Sequence, residues 1–237
     1  MSAPMRVAEC RYPTAARLVA DLADLVAANL SRTLQGGADA SLVVSGGSTP
    51  APLFDALSAV ELDWSRVTVS LADERWVPAD HADSNEALVR SRLLVGKAAD
   101  ASFVSLYEAG MRPVEAQARV AARVAAMPLP FDAVLLGMGT DGHTASFFPG
   151  DAMLEEVLSP QAGLCMGMMP PSDPRGRMTM SLRMLVKSRR IVLHITGEEK
   201  WRLYREISQA APDAASTWPV KAVLLQDKAP VSVFWNP

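Results

Sequence analysis

Two side chains able to exchange protons, Asp141 and His143, stand two positions apart in a stretch with glycines at 137, 139 and 142. An imidazole titrates near neutral pH and can take a proton from water, and a neighbouring carboxylate can orient the ring or stabilise its charged form. Residues two apart in a turn need not touch, so spacing alone leaves the part of Asp141 open. The glycines follow Ala133-Val134-Leu135-Leu136, a short apolar run of the kind a strand buried on both faces shows. Glycine admits positive φ and lets backbone approach a ligand, so three of them after a strand describe a sharp, open turn. Ligands of open α/β sheets bind beyond the carboxyl ends of the strands, where this turn stands. The loop is therefore read as the active centre. His81 lies in a polar loop and reads as solvated; His194, inside the apolar run 191–195, reads as a satisfied core residue.

A second group of residues suits an anion. Ser45-Gly46-Gly47-Ser48-Thr49 follows a strand at 41–44 and precedes a helix beginning near Pro50. Proline is favoured in a first helical turn, where its missing N–H costs nothing. Free N–H groups and the positive end of the helix dipole attract a phosphate, and the hydroxyls add donors. No lysine follows the glycines as a Walker loop requires. A tight turn with a Ser/Thr helix cap fits the same residues. Asp73-Glu74-Arg75, followed by Trp76, ends the strand 67–71 and reads as a pocket rim, a solvated turn being the alternative. Lys200 falls in the first turn of a helix, where a cation opposes the dipole unless an anion sits nearby; a freely solvated lysine is the other reading.

Elements that could hold these groups recur along the chain. Residues 5–12 read as an edge strand, 14–35 as a long amphipathic helix closed by Gly36-Gly37, and 113–127 as an Ala/Val-rich helix. Asp83-Ser84-Asn85 opens a helix through Leu94, with Asp83 and Glu86 as a variant capping box. Strands are expected at 102–106, 164–169, 178–180, 191–195, 221–225 and 231–235, and a short helix at 152–158, with an irregular loop at 170–177. Strands alternating with helices give one α/β domain over residues 1–237, a three-layer, Rossmann-like arrangement. Its largely parallel sheet carries helices on both faces, with a small additional strand region.

Composition narrows the function classes. The 237 residues are 49% hydrophobic and 21% charged, enough to bury a core without staples. Cys10 and Cys165 lie far apart in apolar contexts, without metal or redox spacing, which fits a reduced, cytoplasmic protein. A formal net charge of −3 without a basic run argues against nucleic acid, and no long apolar segment argues for a membrane. A monomer or small homo-oligomer is expected.

Taken in order, these motifs resemble the 6-phosphogluconolactonases and their relatives, the glucosamine-6-phosphate isomerases/deaminases. The resemblance runs through Ser45-Gly46-Gly47-Ser48-Thr49-Pro50, Asp73-Glu74-Arg75, Asp83-Ser84-Asn85 and Gly137-Met138-Gly139-Thr140-Asp141-Gly142-His143-Thr144-Ala145-Ser146. It continues through Arg177-Met178-Thr179 and Thr196-Gly197 with Lys200. The deaminase branch carries a Glu directly before the Pro-Gly that closes the central loop, where this chain has Phe148, so the lactonase branch is favoured.

The resemblance implies hydrolysis of 6-phospho-D-glucono-1,5-lactone to 6-phosphogluconate, in the oxidative pentose phosphate pathway, with neither metal nor organic cofactor. It implies His143 as general base, helped by Asp141 or Asp73, Asp73 alternatively holding sugar hydroxyls. The phosphate is assigned to the turn Ser45, Gly46, Gly47, Ser48 and Thr49 with Arg75, Arg177 and Lys200, Arg177 being preferred to Arg175 from its Arg-Met-Thr context. Gly142 belongs to the substrate-binding loop. Developing negative charge would be met by N–H groups of the glycine turn or by an arginine. The rival readings are the amino-sugar phosphate deaminase, a non-catalytic sugar-phosphate-binding regulator, and a metal-dependent lactonase. The regulator would bring a DNA-binding segment, and the metal enzyme needs more clustered His and carboxylate ligands.

Overall fold

The computed structural model describes residues 7–170 and 175–237. The first two positions of the expected strand at 5–12, and positions 171–174 of the irregular loop, lie outside the described residues. The strands are β1 (Ala8–Arg11), β2 (Ala40–Val44), β3 (Val67–Leu71), β4 (Asp73–Arg75), β5 (Ser102–Val104), β6 (Ala133–Leu136), β7 (Cys165–Met168), β8 (Arg177–Met180), β9 (Ile191–Thr196) and β10 (Val231–Asn236). The helices are α1 (Ala15–Gln35), α2 (Ala51–Ser58), α3 (Asn85–Arg92), α4 (Pro113–Ala125), α5 (Leu154–Leu158), α6 (Leu182–Leu185), α7 (Glu198–Gln209) and α8 (Val220–Leu225).

Seven strands form one sheet in the order β1-β10-β9-β6-β2-β3-β5, every neighbouring pair parallel. Parallel strands need covering on both faces, and β2 and β6 are buried at every position. From β2 the chain runs outward to β3 and β5, then returns to β6 on the other side of β2 and continues to β9 and β10. The order therefore reverses between β2 and β6. Such a reversal opens a crevice beyond the carboxyl ends, because the loops leave the two strands in opposite directions. The glycine-rich turns after β2 and β6 both emerge there. The fold is α/β, as the alternation of elements implies.

Helix α1 packs across β2, β6 and β10 through Leu18, Leu22, Val26 and Leu30, which recur at helical spacing and are fully buried. Thr14 caps it, its hydroxyl accepting from the Arg17 N–H. A smaller antiparallel sheet, β4-β8-β7, supplies the additional strand region. It sets Arg75 directly opposite Arg177 and Asp73 opposite Thr179.

Two local expectations fail. Residues 221–225 form helix α8 instead of a strand: Val220, Val223 and Leu224 are buried at i, i+3, i+4 spacing, and Pro219 sits at the cap. Lys221 holds it, its ammonium donating to the Ile207 carbonyl at 2.7 Å near the end of α7, where a cation complements the helix dipole. The capping box of α3 is also different. Ser84 is its cap, accepting from the Ala87 N–H, while Asp83 pairs with Arg175 and Glu86 with Arg90.

Candidate active site

The crevice at the switch point is a cavity of about 360 Å³. The turn after β2, residues 137–139 and 143–145 of the loop after β6, Asp73 and Arg75 of β4, Arg177 of β8, and His194 and Lys200 border it, whereas Asp141 and Gly142 do not line it. Among the described residues no group of three or more His, Cys, Asp and Glu side chains is arranged to hold a metal ion, and no helix is long and apolar enough to cross a membrane.

Asp141 and His143 do touch. The imidazole Nδ1 lies 2.6 Å from Asp141 Oδ1, which also accepts the His143 backbone N–H at 3.1 Å. An ionised carboxylate only accepts, so a neutral ring here carries its proton on Nδ1 and its lone pair on Nε2. Partial burial pushes the Asp141 carboxyl up, but the His143 backbone N–H, the charge its ring carries when protonated, and the ring's own hydrogen bond outweigh this and hold it below the usual carboxylate range. The pair depends on Gly139, where an added Cβ would lie 2.2 Å from Nδ1. Gly139 and Gly142 direct their N–H groups inward, to the carbonyls of His143 and Gly139. The Phe148 ring lies tilted by 34° against the His143 ring, 4.5 Å away centroid to centroid, and the Arg177 guanidinium lies 5.8 Å from the Phe148 centroid. Ala145, at φ 47°, occupies the left-handed region that side chains other than glycine rarely adopt, and it too borders the cavity.

Asp73 is held separately. Its Oδ2 accepts the Ser146 hydroxyl at 2.7 Å, both groups being buried, and its side chain faces the cavity. Glu74 points elsewhere. It is fully buried and its carboxylate gathers the N–H groups of Arg75, Asn85 and Glu86 and the Ser84 hydroxyl, at 2.7–2.9 Å. Burial pushes this carboxyl up despite four donors. The expected rim thus divides: Asp73 and Arg75 border the cavity, Glu74 fixes the start of α3, and Trp76 packs against Tyr107 and borders a separate groove.

The turn after β2 runs into α2, whose cap position is Pro50 and whose first turn receives no side-chain cap. The Ser/Thr cap that could explain the hydroxyls is therefore not formed. Beneath the turn Asn85 packs against Gly46 and donates its amide to the Asp73 carbonyl at 2.9 Å. The Lys200 ammonium has no carboxylate partner among the described residues, and Arg75 and Arg177 are cross-strand neighbours. Like charges directly opposite on a sheet repel unless an anion lies between them. Arg75 is steadied by the Asp83 carbonyl at 2.7 Å. Arg175 pairs with Asp83 at 2.6 Å and borders the Trp76 groove, away from this cavity.

Three residues of the site escaped the sequence reading. Ser146 and Asn85 act through partners 73 and 12 positions away, which no local pattern reveals. His194 is buried on β9 as expected, but it is not a satisfied core residue: its Nδ1 has no partner and its ring borders the cavity.

Comparison with known proteins places the chain in one family. The family model described as glucosamine-6-phosphate isomerases/6-phosphogluconolactonase matches residues 13–235. A 6-phosphogluconolactonase of Rhizobium meliloti is 42% identical over the full length of both chains. One from Pseudomonas aeruginosa is 42% identical, covering 95% of this chain and 93% of its own. The crystal structure of a 6-phosphogluconolactonase from Shewanella baltica superposes with a TM-score of 0.94 at 42% identity, over 99% of this chain and 100% of that one.

Proposed function

The chain belongs to the glucosamine-6-phosphate isomerase/6-phosphogluconolactonase family and is a lactone-hydrolysing enzyme, and from that premise we propose that it opens 6-phospho-D-glucono-1,5-lactone with His143 as general base. Water attacks the lactone carbonyl carbon while His143 Nε2 takes its proton. Asp141 holds the ring in the required tautomer and stabilises the imidazolium. As the bond between that carbon and the ring oxygen breaks, the imidazolium returns its proton to the departing oxygen. The product acid ionises near neutral pH, so each turnover releases one proton.

Gly139 and Gly142 already use their N–H groups inside the loop, which leaves Gly137 and the arginines to meet charge developing on the carbonyl oxygen. Asp73, tied down by Ser146, presents its free oxygen to sugar hydroxyls. The phosphate takes the opposite end of the cavity, against the 45–49 turn, Arg75, Arg177 and Lys200. Arginines supply a fork of donors and lysine a point charge. Anchoring that end sets the ring against His143. Phe148 stands where the deaminase branch carries a carboxylate, so its amino-sugar chemistry lacks a group here.

The convergence of His143, paired with Asp141, and three cations on one cavity carries this reading. Acid release from freshly generated phosphorylated lactone, beside unphosphorylated gluconolactone and glucosamine-6-phosphate, tests it. Fast hydrolysis that requires the phosphate is expected. No acceleration over the spontaneous rate, or turnover of the amino sugar instead, would overturn it.

A further inference from the structure

Burying a polar atom without a partner is unfavourable, and one that borders a ligand cavity calls for an explanation. His194 is such a case. It sits on β9 between Leu193 and Ile195, in register with Phe234 of β10, and is 6% exposed. Packing alone would be served better by another aliphatic residue. Nδ1 has no partner, and among the described residues the ring makes no hydrogen bond at all.

The ring's neighbours indicate what it could meet. It borders the active-site cavity together with Lys200, which follows on the helix that β9 leads into. Burial, with the Lys200 charge as a lesser cause, pushes the His194 imidazole down to about 4. The ring is therefore neutral at neutral pH and carries one N–H and one lone pair. A second cation would repel Lys200, and a carboxylate would neutralise it. A neutral imidazole does neither, and it has a directional N–H donor to offer an anion that Lys200 attracts.

We propose that His194 is a substrate-contacting residue of the floor of the cavity, donating a ring N–H to the phosphate held against Lys200 and helping the enzyme prefer phosphorylated over unphosphorylated lactone. This rests on the reading of the Lys200 side as the phosphate end.

With only three histidines in the chain, nitrogen-labelled imidazoles can be followed individually by NMR in the intact wild-type protein. The probes are 6-phosphogluconate and, as the control without phosphate, gluconate. At saturating 6-phosphogluconate the His194 ring N–H signal is expected to shift and become protected from exchange, and gluconate should leave it unchanged. In parallel, His194→Phe should raise KM for the phosphorylated lactone about tenfold, with a smaller change in kcat. The preference over gluconolactone should fall by a similar factor, and His194→Gln, which retains a donor, should recover part of it. If 6-phosphogluconate binds, and Lys200→Ala weakens that binding, while the His194 signals stay still, the proposal is overturned and the phosphate anchor stands. If 6-phosphogluconate does not bind at all, both are overturned.

Discussion

Replacing Gly46 by alanine tests whether the turn after β2 is shaped by the side chain beneath it. An added Cβ would lie 1.8 Å from Asn85 Oδ1 and 2.2 Å from its Cγ, far inside ordinary contact of 3.4–4 Å. The Asn85 backbone cannot yield easily, because its N–H is held by Glu74 at 2.8 Å. The side chain must swing out, losing its bond to the Asp73 carbonyl. Overpacking of this kind costs about 1–3 kcal/mol and the lost hydrogen bond about 1 kcal/mol more, so Gly46→Ala should destabilise the fold by about 2–4 kcal/mol. Gly46 is not among the glycines at positive φ, so alanine suffers no backbone strain and the effect is steric. Truncating Asn85 to alanine removes the atoms that clash. In that background Gly46→Ala should therefore cost less than about 1 kcal/mol, a coupling of about 1–3 kcal/mol. Urea unfolding of wild type, both single variants and the double variant closes the cycle. Additive costs, or a neutral single Gly46→Ala, would refute the reasoning.

Three other perturbations probe separate parts of the account. His194 resists protonation down to about 4 in the fold, whereas an unfolded histidine takes a proton near about 6.5. The unfolded chain thus binds more protons between these values, and stability that is full above the upper one falls by up to about 3 kcal/mol towards the lower. The stability of wild type relative to His194→Phe should trace that loss across the window, and a flat difference would contradict it. Glu74→Gln sets an amide's two donors against four others, and should cost about 2–3 kcal/mol in urea unfolding; an unchanged midpoint would argue against its role at the start of α3. Lys200→Ala should raise KM for the phosphorylated lactone by about 10–100-fold with a smaller effect on kcat, whereas Arg175→Ala should change KM by less than about twofold, as expected of a surface ion pair. The opposite order would exchange their roles.

Much of the parallel sheet is legible in the chain because its strands are buried on both faces, so β6 reads as an unbroken apolar run and β2 and β9 as apolar runs interrupted by Ser41 and His194. The turns that follow them are legible because glycine and hydroxyl residues gather where backbone must bend sharply beside a ligand. The misread pieces have local causes. Val220, Val223 and Leu224 carry a helical period, but five mostly apolar positions before a polar loop resemble a strand until Pro219 and the Lys221 contact to α7 are considered. Asp83 and Glu86 have capping-box spacing, yet each finds a better partner, in Arg175 and Arg90. What stays invisible is long-range: Glu74 reaching to α3, Ser146 holding Asp73, Asn85 filling the space under Gly46. Each depends on strands and loops brought together by the fold. His194 shows the converse, since its sequence context correctly gives burial but cannot say that an empty-handed ring faces a cavity.

The central claim is that His143 takes the proton from the attacking water. The measurement that bears on it most directly is the steady-state rate of acid release from freshly generated 6-phospho-D-glucono-1,5-lactone by His143→Ala and wild type, corrected for spontaneous opening. The account requires kcat to fall by about 10²–10⁴-fold with KM altered only a few-fold. A variant that keeps kcat within about threefold of wild type would remove His143 from the mechanism.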